Sequence, residues 1–233
     1  MDHQITEAVV LAGGLGTRLR SEIGEYPKPL APINNTPFLT YLFEYLIEQN
    51  IQTVYLSVGF KWEMIQEEYG STYKNLKLVY VVEKEPLGTG GGIRLALEQC
   101  QNSSVFIING DTYFKVNLQK LSDFYFQQNA KCALALKKLQ KVDRYGNVEL
   151  ENEKIVAFKE KEFREETIIN GGIYCLNKSA LDDFEAGSKF SFEKDFLEID
   201  TAKQAFFGLC FDDYFMDIGI PTDYHQFSKD VLS

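Results

Sequence analysis

The residues best suited to chemistry begin near the N-terminus, where the apolar run Ala8–Ala12 leads straight into Gly13-Gly14-Leu15-Gly16, followed by Thr17, Arg18 and Leu19. Glycine has no Cβ and tolerates positive φ, so successive backbone amides of such a loop can converge on a phosphate. Ten residues after Arg18, Lys28 stands between Pro27 and Pro29. Alternating prolines cannot continue a helix, which predicts an extended, stiff segment that presents Lys28 as a fixed point charge. Arg18 and Lys28 together can neutralise triphosphate oxygens. Asp111, three residues after the apolar run Val105–Ile108, is expected at the same ligand edge of a sheet as the glycine loop, and Asp217 lies far away in sequence. A pair of carboxylates suits a hard cation such as Mg2+, leaving coordination places for phosphate oxygens and water.

Three other readings of the glycine loop compete. A dinucleotide fingerprint needs a third glycine where this chain has Leu19, with Pro27 and Pro29 close behind. A P-loop needs Gly-Lys-Ser/Thr, which is absent. A plain turn needs fewer glycines than this loop carries.

These residues must be held by a sheet. Thr53–Val58, Leu76–Val82 and Val105–Ile108 repeat the apolar, β-rich character of the first run. Between them, residues 37–49, 61–69 and 89–99 space apolar residues as crossover helices do. The first half therefore reads as an alternating βα array of the mononucleotide-binding kind, with ligands expected at the carboxyl ends of its strands. After Asp111 the expectation is mixed α+β, with strands at Ala133–Lys137, Asn147–Leu150, Ile155–Phe158 and Ile168–Leu176 and few long helices. Tyr145-Gly146-Asn147 and Glu151-Asn152-Glu153 read as hairpin turns, and a last helix is expected from Pro221 to about Val231. With no linker or repeat, the chain reads as one domain, residues 1–233, with lobes of about 1–115 and 116–233.

Composition narrows the partners. Hydrophobic residues make up 45% of the chain and charged residues 25%, the balance of a globular protein rather than a disordered one. A formal net charge of −10 opposes binding to nucleic acid or anionic membranes, so an anionic ligand requires locally concentrated cations or a metal. No apolar leader or run long enough to span a bilayer is present, and the expectation is a cytoplasmic protein. The four cysteines, Cys100, Cys132, Cys175 and Cys210, are too scattered for a zinc site or disulfide framework. The 18 Phe and 13 Tyr read as core first, while leaving a sugar-stacking face or a homo-oligomer interface open.

Leu11–Leu19 followed by Pro27–Leu30 resembles the signature of sugar-1-phosphate nucleotidyltransferases. The resemblance continues through Glu85–Gly90, Asn109-Gly110-Asp111, Glu160-Lys161, Asn170–Tyr174 and Met216–Gly219, in the family's order. Residues 15–20, 57–60 and 109–114 are similar to the D-glycero-D-manno-heptose 1-phosphate guanylyltransferase branch. Mannose-1-phosphate guanylyltransferases, uridylyltransferases and thymidylyltransferases share much of the pattern, and a non-catalytic sensor of the same fold is the contrasting reading.

The resemblance implies a Rossmann-like α/β fold of the nucleotide-diphospho-sugar transferase type: a mixed, mostly parallel central sheet flanked by helices, with a smaller α+β sugar-binding lobe. It implies that a nucleoside triphosphate and a sugar 1-phosphate react with Mg2+ held by Asp111 and Asp217. Arg18, Lys28, Asp111 and Lys161 are the implied catalytic residues. Leu11, Ala12, Gly13, Gly14, Gly16, Thr17, Glu83, Gly88 and Thr89 are implied to bind the nucleotide, and Gly110, Glu160, Lys161, Asn170, Gly171 and Gly172 the sugar phosphate. By the resemblance, Glu83 lies beside the base, where a carboxylate can accept both N1–H and N2–H of guanine; the competing readings are a cap on the following helix or a side chain facing solvent.

Overall fold

A computed structural model describes residues 4–14, 16–142, 144–160, 163–199 and 201–232. Leu15 and Lys161 therefore lie outside the described residues. The chain begins with β1 (Glu7–Leu11), then a short helix α1 (Arg20–Ile23) and a small hairpin of β2 (Pro32–Ile33) and β3 (Thr36–Pro37). The alternating segment follows: α2 (Phe38–Glu48), β4 (Thr53–Val58), α3 (Trp62–Tyr69), β5 (Thr72–Tyr73), β6 (Leu76–Val82), α4 (Gly88–Leu97) and β7 (Ser104–Asn109). Next come β8 (Thr112–Phe114), α5 (Leu118–Gln127), β9 (Cys132–Val142), β10 (Asn147–Glu151), β11 (Lys154–Lys159) and β12 (Arg164–Asn177). A single π-helical turn at Phe192–Leu197, β13 (Phe206–Phe211), β14 (Phe215–Asp217) and α6 (Pro221–Asp230) complete the chain.

Ten strands form one sheet in the order β10-β11-β13-β9-β12-β7-β1-β4-β6-β5. Strands β7, β1, β4 and β6 are parallel neighbours, as the βα reading requires. Strand β12 runs antiparallel to β7 and β9, and β13 is parallel to β9. The expected mixed sheet is thus continuous from one edge to the other. Because side chains alternate across a strand, Ala8 and Val10 enter one core and Val9 the other. Helices α2, α3 and α5 cover the first face, while α4 and the π turn cover the second. A third cluster, Leu19, Ile23, Ala31, Ile33, Phe38, Ile218 and Phe227 among its members, fastens the segment after the glycine loop to β14 and α6.

Several local expectations change. Helix α5 interrupts a half expected to be poor in long helices; it is capped by the Asn117 side chain, which accepts the N–H of Lys120. The turn at Asn152 and Glu153, both at positive φ, does join the antiparallel pair β10 and β11. The bend at Tyr145-Gly146 joins β9 to β10, which are not partners in the sheet, so it is not a hairpin.

Candidate active site

Strand order reverses at β1, with β4 on one side and β7 on the other. This is the switch point at which open α/β sheets leave a crevice at the carboxyl ends of their strands. A cavity of about 370 Å³ opens there, lined by Leu11, Ala12, Gly13, Gly14, Lys28, Pro29, Ser57, Glu83, Pro86, Gly88, Thr89, Asn109, Gly110, Asp111 and Glu193. Leu11 and Asn109 are register partners at the ends of β1 and β7, so the glycine loop and Gly110-Asp111 leave the sheet side by side. The approach is tight: Gly110 N–H donates to the Leu11 carbonyl at 3.0 Å, and a Cβ on Gly110 would come within 2.3 Å of that oxygen.

Among the described residues, no protein acceptor takes the amide hydrogens of Gly13 or Gly14, and around Gly14 the space a Cβ would enter is open. Such amides fit an anionic ligand. Gly16, at φ +59°, lies against Lys28: a Cβ there would stand 3.2 Å from the lysine Cβ. Lys28 does not ride on an extended segment. Pro27 is extended, but Lys28–Leu30 form a 3-10 turn closed by the Ala31 N–H donating to the Lys28 carbonyl. That turn buries Lys28 to 8% exposure, and its Nζ donates to Asp111 Oδ2 at 2.5 Å.

Asp217 reaches the same place through the ladder of β14 on β8, where it pairs with Thr112 while the Ile218 N–H donates to the Asp111 carbonyl. Burial, and next the charge of Asp111, hold the Asp217 carboxyl above the usual carboxylate range; the Gly219 N–H, Lys28 and Arg18 oppose that shift. Two carboxylates in mutual repulsion beside a crevice are a donor set that a divalent cation relieves, so Asp111 and Asp217 fit Mg2+. Among the described residues no group of three or more His, Cys, Asp or Glu could hold a metal, so other ligands would come from phosphate and water.

Glu83 faces this cavity and also plays part of the competing role. Its Oε2 accepts the N–H of Leu87, the residue that precedes α4, while Oε1 accepts the Ser57 hydroxyl. Thr89 accepts the Phe192 N–H and donates to Glu193, tying α4 to the π turn. Gly88, at φ +74°, is required by the Phe190 carbonyl, which a Cβ would meet at 2.5 Å.

A second cavity of about 170 Å³ adjoins, lined by Tyr145, Gly146, Asn147, Val148, Phe158, Lys159, Ile169, Asn170, Glu193, Leu197 and Glu198. Asn170 donates to the Tyr174 hydroxyl and accepts the Gly172 N–H, within a bulge of β12. Gly171 and Gly172 serve that bulge: the space of their missing side chains is taken by the Phe114 ring and by Asn109. Glu160 is exposed just after β11. Thr17 and Arg18 are exposed outside the first cavity, with Arg18 near enough to Asp217 to act on its charge. Of the other residues lining the first cavity, Ser57, Pro86 and Asn109 lie in motifs that the sequence reading singled out without giving them a site role, while Glu193 was missed altogether. Sequence reasoning also missed Arg144, which contacts Asp223, stacks over Tyr145 and feels the charge of Asp217. Ser57 carried a signal, as a polar residue in an otherwise apolar buried strand; Glu193 and Arg144 carried none.

A parallel βα array with unpaired loop amides at its switch point, flanked by a buried lysine and two aspartates, defines an α/β protein built to handle nucleotide phosphates. Residues 7–233 match the family model described as Nucleotidyl transferase, and the chain belongs to that family. It is 46% identical to D-glycero-alpha-D-manno-heptose 1-phosphate guanylyltransferase of Aneurinibacillus thermoaerophilus, over 97% of this chain and 98% of that protein. The same identity holds with the enzyme of that name from Campylobacter jejuni, over 95% and 98%. The crystal structure of HddC from Yersinia pseudotuberculosis complexed with GMP-PN superposes with a TM-score of 0.86 at 35% identity, covering 97% of this chain and all of that one.

Proposed function

We propose that this nucleotidyl transferase moves a guanylyl group from GTP to D-glycero-α-D-manno-heptose 1-phosphate in the cytoplasm, releasing pyrophosphate and supplying an activated sugar for surface polysaccharide. The observation that carries the reading is the convergence of Lys28, Asp111 and Asp217 beside the glycine loop. The names of the two relatives at 46% identity support the choice of base and sugar. So does the GMP-PN complex of the Yersinia protein.

In this reading the amides of Gly13 and Gly14, with Gly16, Thr17 and Arg18, cradle the triphosphate, and Leu11, Ala12, Gly88 and Thr89 wall the nucleoside. Glu83 accepts the two adjacent donors of guanine. A sugar-phosphate oxygen attacks the α-phosphorus in line with departing pyrophosphate, with negative charge spread over oxygens throughout. Lys28 and Arg18 offset that charge and orient the two anions. Lys161 takes the sugar phosphate by the family resemblance, while Gly110, Glu160, Asn170, Gly171 and Gly172 shape the sugar side. Asp111 and Asp217 would hold Mg2+, which would supply charge neutralisation at the phosphates. The sugar phosphate is ionised at neutral pH, so no general base is needed.

The test is a panel of GTP, UTP and dTTP against heptose, mannose and glucose 1-phosphates, scored by pyrophosphate release. GTP with the heptose phosphate should turn over fastest; faster turnover of any other pair would replace this assignment.

A further inference from the structure

Glycine inside a helix costs about 1 kcal/mol relative to alanine, yet α4 contains Gly90, Gly91 and Gly92 in succession. The first two are explained by packing: a Cβ on Gly90 would strike the Phe190 ring, and one on Gly91 the Ser188 carbonyl. Gly92 meets neither. A Cβ there would come 2.6 Å from Ser57 Oγ and 2.7 Å from Glu83 Oε1.

Ser57 is equally out of place by composition. It is 1% exposed near the end of β4, a buried strand of sequence TVYLSV, and its hydroxyl donates to Glu83 Oε1 at 3.0 Å. The other carboxylate oxygen accepts the Leu87 N–H at 3.0 Å. Among the described residues each oxygen of Glu83 is thus held by one bond, which leaves each an acceptor position for a ligand. Both Ser57 and Glu83 line the larger cavity.

We infer that Ser57 and Gly92 are positioning residues for base recognition: the serine hydroxyl anchors the Glu83 carboxylate, and the missing side chain at 92 gives it room to meet two adjacent donors of guanine. This rests on the reading of Glu83 as the group that accepts N1–H and N2–H. Hypoxanthine keeps N1–H and lacks the exocyclic amine, so the ratio of kcat/KM for GTP over ITP reports how well the carboxylate engages both donors.

The experiment measures that ratio, with kcat and KM separately, for the parent enzyme and for Ser57→Ala, Gly92→Ala and Glu83→Gln. A hydrogen bond to a charged group is worth enough that Ser57→Ala should lower the GTP-over-ITP ratio about tenfold, through KM for GTP. Gly92→Ala should lower it further. Ser57→Ala removes a single oxygen atom and keeps the test valid if the glycine variant fails to fold. If Glu83→Gln leaves the ratio unchanged, the base-reading role falls and this inference with it. If Glu83→Gln collapses the ratio while Ser57→Ala leaves it at the parent value, Glu83 reads the base without help and the positioning role alone is overturned.

Discussion

Lys28→Met removes one positive charge while keeping an unbranched side chain of similar reach. In the folded protein that charge is 8% exposed, 2.5 Å from Asp111 Oδ2, and acts on Asp217. Removing one partner of a fully buried ion pair costs about 3–5 kcal/mol. The Asp111 side chain keeps 36% exposure, so solvent screens the orphaned charge and about 1–2 kcal/mol is the expected loss. For a chain of this size that lowers Tm by roughly 2–8 °C. Catalysis should suffer more, since one preorganised group facing developing charge is typically worth about 10²–10³ in kcat. The assay is paired: thermal melting with and without Mg2+, and pyrophosphate release. Mg2+ should stabilise the variant more than the parent, because the two carboxylates no longer share an ammonium, while kcat stays low. A variant that melts with the parent in the absence of metal and keeps kcat within threefold would refute this role for Lys28.

Asp217, held above its ordinary value of 3.8 in the folded chain, keeps its proton longer there than when unfolded. The metal-free protein should therefore lose stability as pH rises from about 4 through that raised value, and Asp217→Asn should flatten this limb of a Tm-versus-pH curve while abolishing turnover. Gly110→Ala forces a Cβ to within 2.3 Å of the Leu11 carbonyl; urea unfolding should show a loss of about 1–3 kcal/mol, and kcat/KM should fall as the loop carrying Asp111 shifts. Glu7 is a control at the opposite end of β1, where its buried carboxylate accepts the N–H groups of Gln101 and Asn102 and the Tyr55 hydroxyl. Glu7→Gln should cost about 1–3 kcal/mol of stability with kcat per folded molecule unchanged.

The parallel half of the sheet was legible because β1, β4 and β7 are buried on both faces and read as nearly continuous apolar runs, broken in β4 by Ser57, while β6 follows the same pattern after the exposed Lys77. The rest was less so. The aromatic-rich α5 went unread despite its Asn117 cap, and β13, FFGLCF, is weakened as a signal by Gly208. The pairing of β9 with both β12 and β13 is a tertiary fact that no local period encodes. The same holds for the site. Asp111 and Asp217 meet through β8 and β14, three residues each and too short to show periodicity, so only the family resemblance pointed to their meeting. The turn at Lys28 was misread because prolines exclude an α-helix but not the 3-10 geometry that buries the ammonium.

The unbroken ladder from β10 to β5 has a mechanical corollary. Two halves joined in one sheet meet through backbone hydrogen bonds rather than a linker, so a clamp-like closure would have to bend the sheet itself. Segments that project beyond the strand ends can adjust without that cost. Changes of sugar preference should therefore arise in the projecting segments rather than in the sheet.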